Sequence, residues 1–115
     1  MKDINDATRR IVEFRDARDW QQFHNPKDLA ISFVLEATEV IEHFQWKSKE
    51  EIEKYIETNR SDIGEELADV LYWVLLISHD LGIDVLDALD KKIKKNEEKY
   101  PVEKAKGRHT KYDQL

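Results

Sequence analysis

The longest apolar run of the chain lies in its second half and directly follows a group of acidic residues. It covers residues 70–77, and Glu66 and Asp69 stand at its start. On a helix, a spacing of three residues places two side chains on one face, with their Cβ atoms roughly 5–6 Å apart. The stretch from residue 62 to residue 78 therefore predicts a central helix that carries two carboxylates at the edge of a buried surface.

Apolar positions spaced by three or four residues predict a first helix from about residue 3 to residue 18. The spacing is carried by Ile4, Ala7, Ile11, Phe14 and Arg18. Residues 19–25 contain large flat side chains but follow no period. We expect a loop or a frayed turn there, whose aromatic residues could simply close the end of a helical bundle.

A second helix is predicted from Pro26 to about Trp46. Asn25 suits the N-cap, proline suits the first helical position, and Asp28 suits the positive end of the helix dipole. Ser48 and Glu51 then form a capping-box pattern, which predicts a short helix around residues 52–56. Residues 59–62 are expected to break the chain before the central helix begins.

The central helix is expected to end near Gly82, a residue type common just after helix ends. Asp84 suits the N-cap of a further helix, which Tyr100 and Pro101 should stop. The remaining residues are basic and predict a solvated tail. We therefore expect a helical domain over residues 1–100 and a basic tail over residues 101–115.

The whole pattern indicates an all-α fold, an antiparallel bundle of four to five helices. The chain has only 3 glycines and 2 prolines, and no window alternates apolar and polar residues over a useful length. Because residues 70–77 are apolar on every face and so short a chain has few helices to surround them, we expect oligomerisation to complete the bundle, in a homodimer or a homotetramer.

The composition of the chain argues against several classes of function. The net charge of −6 makes duplex nucleic acid an improbable partner. The absence of cysteine excludes disulfides, thiolate zinc sites and cysteine nucleophiles. No run approaches the ~20 apolar residues of a membrane span, and the first residues do not resemble a signal peptide. We therefore expect a cytoplasmic protein without membrane contact.

An earlier helix carries a second acidic pair, Glu36 and Glu39, which is again spaced by three and again flanked by apolar residues. With 25 acidic residues in 115, roughly five such pairs arise by chance, so two stretches of solvated helix surface are the plain alternative. Unpaired charge beside buried surface is costly, however. The two pairs therefore suggest one cation site, whose all-oxygen ligands suit Mg²⁺ or Mn²⁺ before Zn²⁺.

The two acidic pairs resemble the E-x-x-E…E-x-x-D signature of the MazG-like all-α nucleoside triphosphate pyrophosphohydrolases. The likeness extends over nearly the whole chain and is closer to the dCTP pyrophosphatase branch. It is carried, in order along the chain, by residues 18–24, 44–48, 65–70, 96–101 and 111–112. An ordered set of five motifs is far more specific than the acidic residues alone.

The resemblance implies particular roles. Four acidic side chains, Glu36, Glu39, Glu66 and Asp69, would hold Mg²⁺ on a nucleoside triphosphate, and water would cleave between its α and β phosphorus atoms. Side chains matching the base pocket are Trp20, His24, Trp46 and Tyr72. Lys92, Asn96 and the tail lysines, among them Lys111, would face the phosphates.

One departure from the family pattern concerns Leu35 and Thr38. Relatives often have Glu or Gly at these positions, beside the first acidic pair. The difference could remove a secondary metal ligand, and it leaves the number of metal ions open.

Two other classes of function compete with this hypothesis. One is a non-catalytic helical oligomerisation or interaction module, in which the acidic pairs are surface charge. The other is a carboxylate-bridged di-iron bundle, which needs Glu-x-x-His pairs. Neither His43 nor His79 stands three residues after a glutamate, which weakens the second alternative.

Overall fold

The computed structural model describes residues 1–115 and contains helices joined by short turns, without any strand. The helices are α1 (Ile4–Ala17), α2 (Pro26–Glu42), α3 (Lys49–Asp80), α4 (Val85–Lys99) and α5 (Val102–Ala105). Two single turns of 3₁₀-helix cover Gln21–Phe23 and Tyr112–Gln114. The prediction of an all-α chain with four to five helices is confirmed.

The chain forms two compact units, Met1–Gly82 and Ile83–Leu115. The first unit holds α1, α2 and α3, and the second holds α4, α5 and the last 3₁₀ turn. The division between a domain over residues 1–100 and a tail stays a prediction.

Helix starts lie where the capping residues predict them. The side chains of Asn25 and Asp84 each accept a hydrogen bond from the backbone N–H three residues later. Ser48 and Glu51 exchange both hydrogen bonds of a capping box. These bonds satisfy N–H groups that have no partner inside the helix, so a local sequence signal decides each start.

The predicted break at residues 59–62 is present in a reduced form, because two helical segments of α3 meet at a kink at Asn59 and residues 60–62 are helical. Only Asn59 leaves the helical conformation, with φ −125° and ψ 19°, and it produces a kink. Its side-chain amide donates to the carbonyl oxygen of Tyr55 at 2.9 Å and thus competes with the backbone for an acceptor. Since no proline or glycine follows directly, the helix resumes at once.

The second helix is shorter than predicted. It ends at Glu42, and residues 43–46 form turns in which the N–H groups of Phe44 and Gln45 both donate to the carbonyl oxygen of Ile41. Trp46 therefore lies on a turn, with 87% of its surface exposed.

The basic tail is more ordered than the predicted solvated segment. It begins with α5 and ends with a 3₁₀ turn, in which the Tyr112 ring meets the edge of Tyr100, with ring centroids 6.1 Å apart. The Lys99 ammonium lies 4.7 Å from the centroid of the same Tyr112 ring. An aromatic contact and a cation–π contact therefore hold the tail against the end of α4.

In the first unit, α3 packs against both α1 and α2. The fully buried apolar side chains are Leu29, Leu75 and Leu76. The other face of α2 is open, since Val34 and Leu35 are 56% and 60% exposed. The chain therefore leaves much of its apolar surface uncovered by its own helices.

No helix combines the length and the mean hydropathy that a membrane-spanning helix requires.

Candidate functional site

The four predicted acidic residues converge at the contact between α2 and α3. Glu36 and Glu39 come from α2, and Glu66 and Asp69 come from α3. One carboxylate oxygen of each residue lies within 4.8 Å of the corresponding oxygens of the other three. The structure thus brings together the two pairs that the helical spacing places on single faces.

This convergence changes the protonation of the cluster. A hydrogen bond shared with Glu39, together with burial and the charges of its neighbours, raises the pKa of Glu66 from an ordinary 4.5 to about 7. Burial, followed by the carboxyl of Glu39, also raises the pKa of Glu36. Both shifts have the direction expected for carboxylates that repel one another where water cannot screen them fully.

Two oxygens of the cluster accept no hydrogen bond from the protein. They are the Oε2 atoms of Glu36 and Glu66, and both are buried. A buried carboxylate oxygen without a donor is costly unless a cation or a proton meets it. Oxygen ligands from several carboxylates at this spacing suit a hard divalent cation. The residues present therefore fit a metal ion.

Trp20 and Tyr72, two of the residues that match a base pocket, both pack against one phenyl ring. The Phe14 ring meets the ring of Trp20 edge-on at 5.7 Å and that of Tyr72 edge-on at 6.5 Å. The Arg18 guanidinium covers a face of the same ring at 3.7 Å. We call these four residues the Phe14 cluster.

A cavity of about 290 Å³ opens beside the Phe14 cluster, between α1 and α3. Its lining is mostly apolar and includes Ile11, Phe14, Leu71, Tyr72 and Leu75. Tyr72 is three residues after Asp69, so on α3 the aromatic wall follows the acidic cluster by about one helical turn.

Of the other residues with implied roles, His24 and Trp46 belong to the first unit, and Lys92, Asn96 and Lys111 belong to the second. His24 packs its ring against the edge of Trp73, with centroids 5.8 Å apart, and its Nδ1 is 3.5 Å from an Arg15 nitrogen. Trp46 has no aromatic neighbour and stands out on its turn. Lys92 and Asn96 are exposed on one face of α4, and Lys111 precedes the last 3₁₀ turn.

Beside the first acidic pair, Leu35 points to the exposed side of α2 and Thr38 bonds to its own helix. The Thr38 hydroxyl donates to the carbonyl oxygen of Val34 at 2.9 Å. Neither side chain offers a ligand to the acidic cluster in this arrangement.

Sequence reasoning missed two features of this region. The apolar spacing of α1 predicts only a buried position for Phe14, although this ring is the centre of the aromatic contacts. Arg15 was not singled out, although it is 1% exposed and makes two bonds to Asp80, at 2.7 and 2.9 Å. Arg15 follows Ile11 by four residues, which is a signal for the buried face, but no pattern reveals a partner 65 positions away.

The fold and the site define an all-α protein with a carboxylate cluster suited to a divalent cation. The profile of the MazG-like family matches residues 31–115. The chain therefore belongs to the MazG-like family, and the resemblance seen in its motifs is confirmed.

Relatives with known names agree with this placement. Mouse dCTP pyrophosphatase 1 is 35% identical over 114 residues, which cover 97% of this chain and 67% of the mouse protein. The human dCTP pyrophosphatase 1 is 33% identical over the same share of each chain. The crystal structure of a pyrophosphatase from Archaeoglobus fulgidus superimposes with a TM-score of 0.80 at 38% identity, over 84% of this chain and 91% of that one. The chain is a hydrolase of this family, as its motifs predict.

Proposed function

We propose that this protein hydrolyses nucleoside triphosphates to nucleoside monophosphate and pyrophosphate with Mg²⁺, and that dCTP or a modified pyrimidine deoxynucleotide is its preferred substrate. Such an activity would remove unwanted nucleotides from the precursor pool. The names of the mouse and human relatives support the choice of substrate.

The observation that carries this proposal is the convergence of four carboxylates within 4.8 Å. A triphosphate is strongly negative and cannot approach such a cluster without positive charge between them. Metal and substrate should therefore bind together. Mg²⁺ fits this requirement because it is held by a few carboxylates and keeps positions for phosphate oxygens and water.

The four acidic residues act first as holders of the metal. When bound, Mg²⁺ neutralises the phosphates and makes water easier to deprotonate. Glu36 and Glu39 are the candidates for accepting the proton of the attacking water. Water adds across the bond between the α and β phosphoryl groups, which releases the monophosphate and pyrophosphate.

The base would be bound by flat side chains. Trp20 and Tyr72 are our first candidates because they share the Phe14 ring beside an apolar cavity. Stacking accepts any base, so discrimination needs hydrogen-bonding groups nearby. His24 and Trp46 keep the base-pocket role that the family resemblance implies, and Lys92, Asn96 and Lys111 keep the phosphate-binding role.

The proposed activity is tested by a panel of common and modified nucleoside triphosphates, each with and without Mg²⁺. We expect equal amounts of monophosphate and pyrophosphate, dependent on Mg²⁺, with the highest kcat/KM for dCTP or a modified relative. Release of orthophosphate and nucleoside diphosphate would contradict the cleavage position. A flat rate across all bases would contradict the substrate, and no turnover at all would favour the non-catalytic interaction module.

We also propose that a second copy of the chain covers the open face of α2, in a homodimer or a dimer of dimers. Exposed apolar side chains spaced by three or four residues, such as Ile31, Val34 and Leu35, form the kind of stripe that packs against another helix. Light scattering at micromolar concentration should report a mass at least twice that of one chain. A monomeric mass at full activity would contradict this assembly. The variant Val34→Lys places a charge on this face and should have a larger monomeric fraction than the wild type.

A further inference from the structure

We propose that Arg15 and Asp80 are positioning residues for recognition of the nucleotide: their ion pair, in which the guanidinium is buried, holds the aromatic loop, residues 19–25, against α3. This inference rests on the proposed function, because the loop carries Trp20 and His24, two candidates for binding the base. Neither Arg15 nor Asp80 belongs to the acidic cluster or to the Phe14 cluster.

The ion pair joins two helix ends that are distant along the chain. Arg15 lies in the last turn of α1, and Asp80 is the last residue of α3. Nη1 of Arg15 donates to Oδ2 of Asp80 at 2.7 Å, and Nη2 donates to Oδ1 at 2.9 Å. A planar guanidinium held by two parallel bonds fixes orientation as well as distance.

Arg15 also holds the loop at two further points. Its carbonyl oxygen accepts the backbone N–H of Trp20 at 3.1 Å, just after Asp19 turns the chain with φ 54°. Its Nη1 lies 3.5 Å from Nδ1 of His24, which a neutral imidazole can offer as an acceptor. Burial, followed by the charge of Arg15, lowers the pKa of His24 and so favours that neutral form.

The far side of this contact is open, so the loop is held by the contacts with Arg15 and by the packing of Trp20 and His24 on aromatic rings. A cavity of about 370 Å³ lies there, lined by Gln21, His24, Asn25, Pro26, His79 and Asp80. The only aromatic partner of the His24 ring is Trp73, and Trp20 is 43% exposed. The contacts with Arg15 are therefore the polar contacts that join both candidate base-binding residues to the helices.

A purely structural role explains this pair poorly. Arg15 is 1% exposed and its Nε has no hydrogen-bond partner. Burying a charged pair is expensive, and well-packed apolar residues of similar size often stabilise a fold as much or more. A pair that does not improve stability, and that contacts both ends of a substrate-binding loop, is better explained by the geometry it imposes.

The decisive variant replaces both charges by apolar side chains, Arg15→Met with Asp80→Leu. No unpaired charge remains, so we expect the variant to fold with unchanged or higher stability toward urea. The loop loses the side-chain contact with His24 and the tie of α1 to α3, and base binding weakens equally in the ground state and the transition state. We expect KM for the best nucleotide to rise on the order of tenfold, with kcat within about twofold of wild type.

A second readout needs no nucleotide. In the metal-free protein, the amide hydrogen of Trp20 should exchange with solvent about tenfold faster in the double variant, because the end of α1 that carries its acceptor is no longer tied to α3. The matched control is the exposed pair of α1, Arg9→Met with Asp6→Asn, whose side chains are 64% and 31% exposed. It should leave KM and the exchange rate of Trp20 unchanged.

The conservative variant Arg15→Lys keeps a positive charge opposite Asp80 and serves if the double variant does not fold. An ammonium lacks the planar fork that serves Asp80 and His24 together, so KM should rise by a smaller factor. An unchanged KM in a folded double variant, or in Arg15→Lys where the double variant is unfolded, overturns the inference. Absence of turnover in the wild type would instead refute the proposed function, and the exchange of Trp20 would still show whether the pair holds the loop.

Discussion

Replacing Glu66 by glutamine is expected to abolish pyrophosphate release, with a fall in kcat on the order of 100-fold or more. The substitution removes one of four carboxylates that lie within 4.8 Å of one another. Glutamine has nearly the same shape but carries no charge and is a weak ligand for a hard cation. The loss should therefore come from the metal site, while the fold is retained.

The same substitution should not harm the metal-free fold. Wild-type Glu66 has a buried oxygen without a donor and three acidic neighbours, so removing its charge relieves repulsion. We expect the metal-free variant to melt at the same temperature as wild type or at a higher one. Mg²⁺ stabilises the wild type by binding the native state, and this increase in melting temperature should shrink in the variant.

The pH dependence of stability gives a further check on the metal-free protein. The pKa of Glu66 is about 7 when folded, against 4.5 when unconstrained, so the native state binds this proton more tightly than the unfolded state does. Its contribution to stability is therefore present below pH 4.5 and is lost as the pH rises through about 7. Melts between pH 5 and pH 8 should show this loss in wild type, and Glu66→Gln should show less of it.

The matched control is Glu65→Gln, which removes a neighbouring exposed carboxylate of the same helix that lies outside the cluster. It should leave turnover, the Mg²⁺-dependent rise in melting temperature and the pH dependence as they are in wild type. If Glu66→Gln keeps wild-type turnover, the metal site is assigned wrongly. Equal effects of the two variants would indicate that Glu66 acts only as ordinary surface charge.

Breaking the Arg15–Asp80 pair from one side is expected to produce the largest loss of stability. Asp80→Leu leaves the Arg15 guanidinium buried without a counter-charge, because its other acidic neighbour, Asp16, lies 4.0 Å from Nε and is half exposed. We expect the free energy of unfolding to fall by about 2 kcal/mol, less than for a fully buried pair because the Asp80 carboxylate is partly exposed. Urea unfolding followed by circular dichroism measures this change.

Adding Arg15→Met to Asp80→Leu should restore the whole of that loss, since the second substitution removes the stranded charge. For comparison, Asp6→Asn alone breaks an exposed ion pair of α1 and should cost about 0.5 kcal/mol or less. If Asp80→Leu costs no more than Asp6→Asn, the buried pair contributes nothing to folding. A double variant that is no more stable than Asp80→Leu would show that the loss comes from packing at residue 80.

The sequence by itself determined the features that depend on neighbours along the chain. A capping side chain bonds to an N–H three residues later, so Asn25, Ser48 and Asp84 could be identified as helix starts before any tertiary contact was known. Spacing by three likewise places each acidic pair on one helix face, whatever surrounds it. The all-α class, the two pairs and the family resemblance all rest on information of this kind.

Helix ends are harder to predict from the sequence than helix starts, because they depend on small differences in free energy between competing local hydrogen bonds. Residues 59–62 offer polar side chains that can satisfy the backbone outside a helix, which favoured a break. In the structure the side chain of Asn59 takes one backbone acceptor and the helix continues with a kink. The end of α2 was placed late for a related reason, since Phe44 and Trp46 continue the apolar pattern although the backbone has already turned.

Only the tertiary structure decided which distant residues meet. The pairing of α2 with α3 brings four carboxylates together and raises the pKa of Glu66, which neither helix would do alone. The contact between α1 and α3 places Phe14 against Tyr72 and Arg15 against Asp80, a partner 65 positions away. Periodicity identifies a buried face but carries no information about the residue on the opposite helix, because that choice is made by the packing of whole helices.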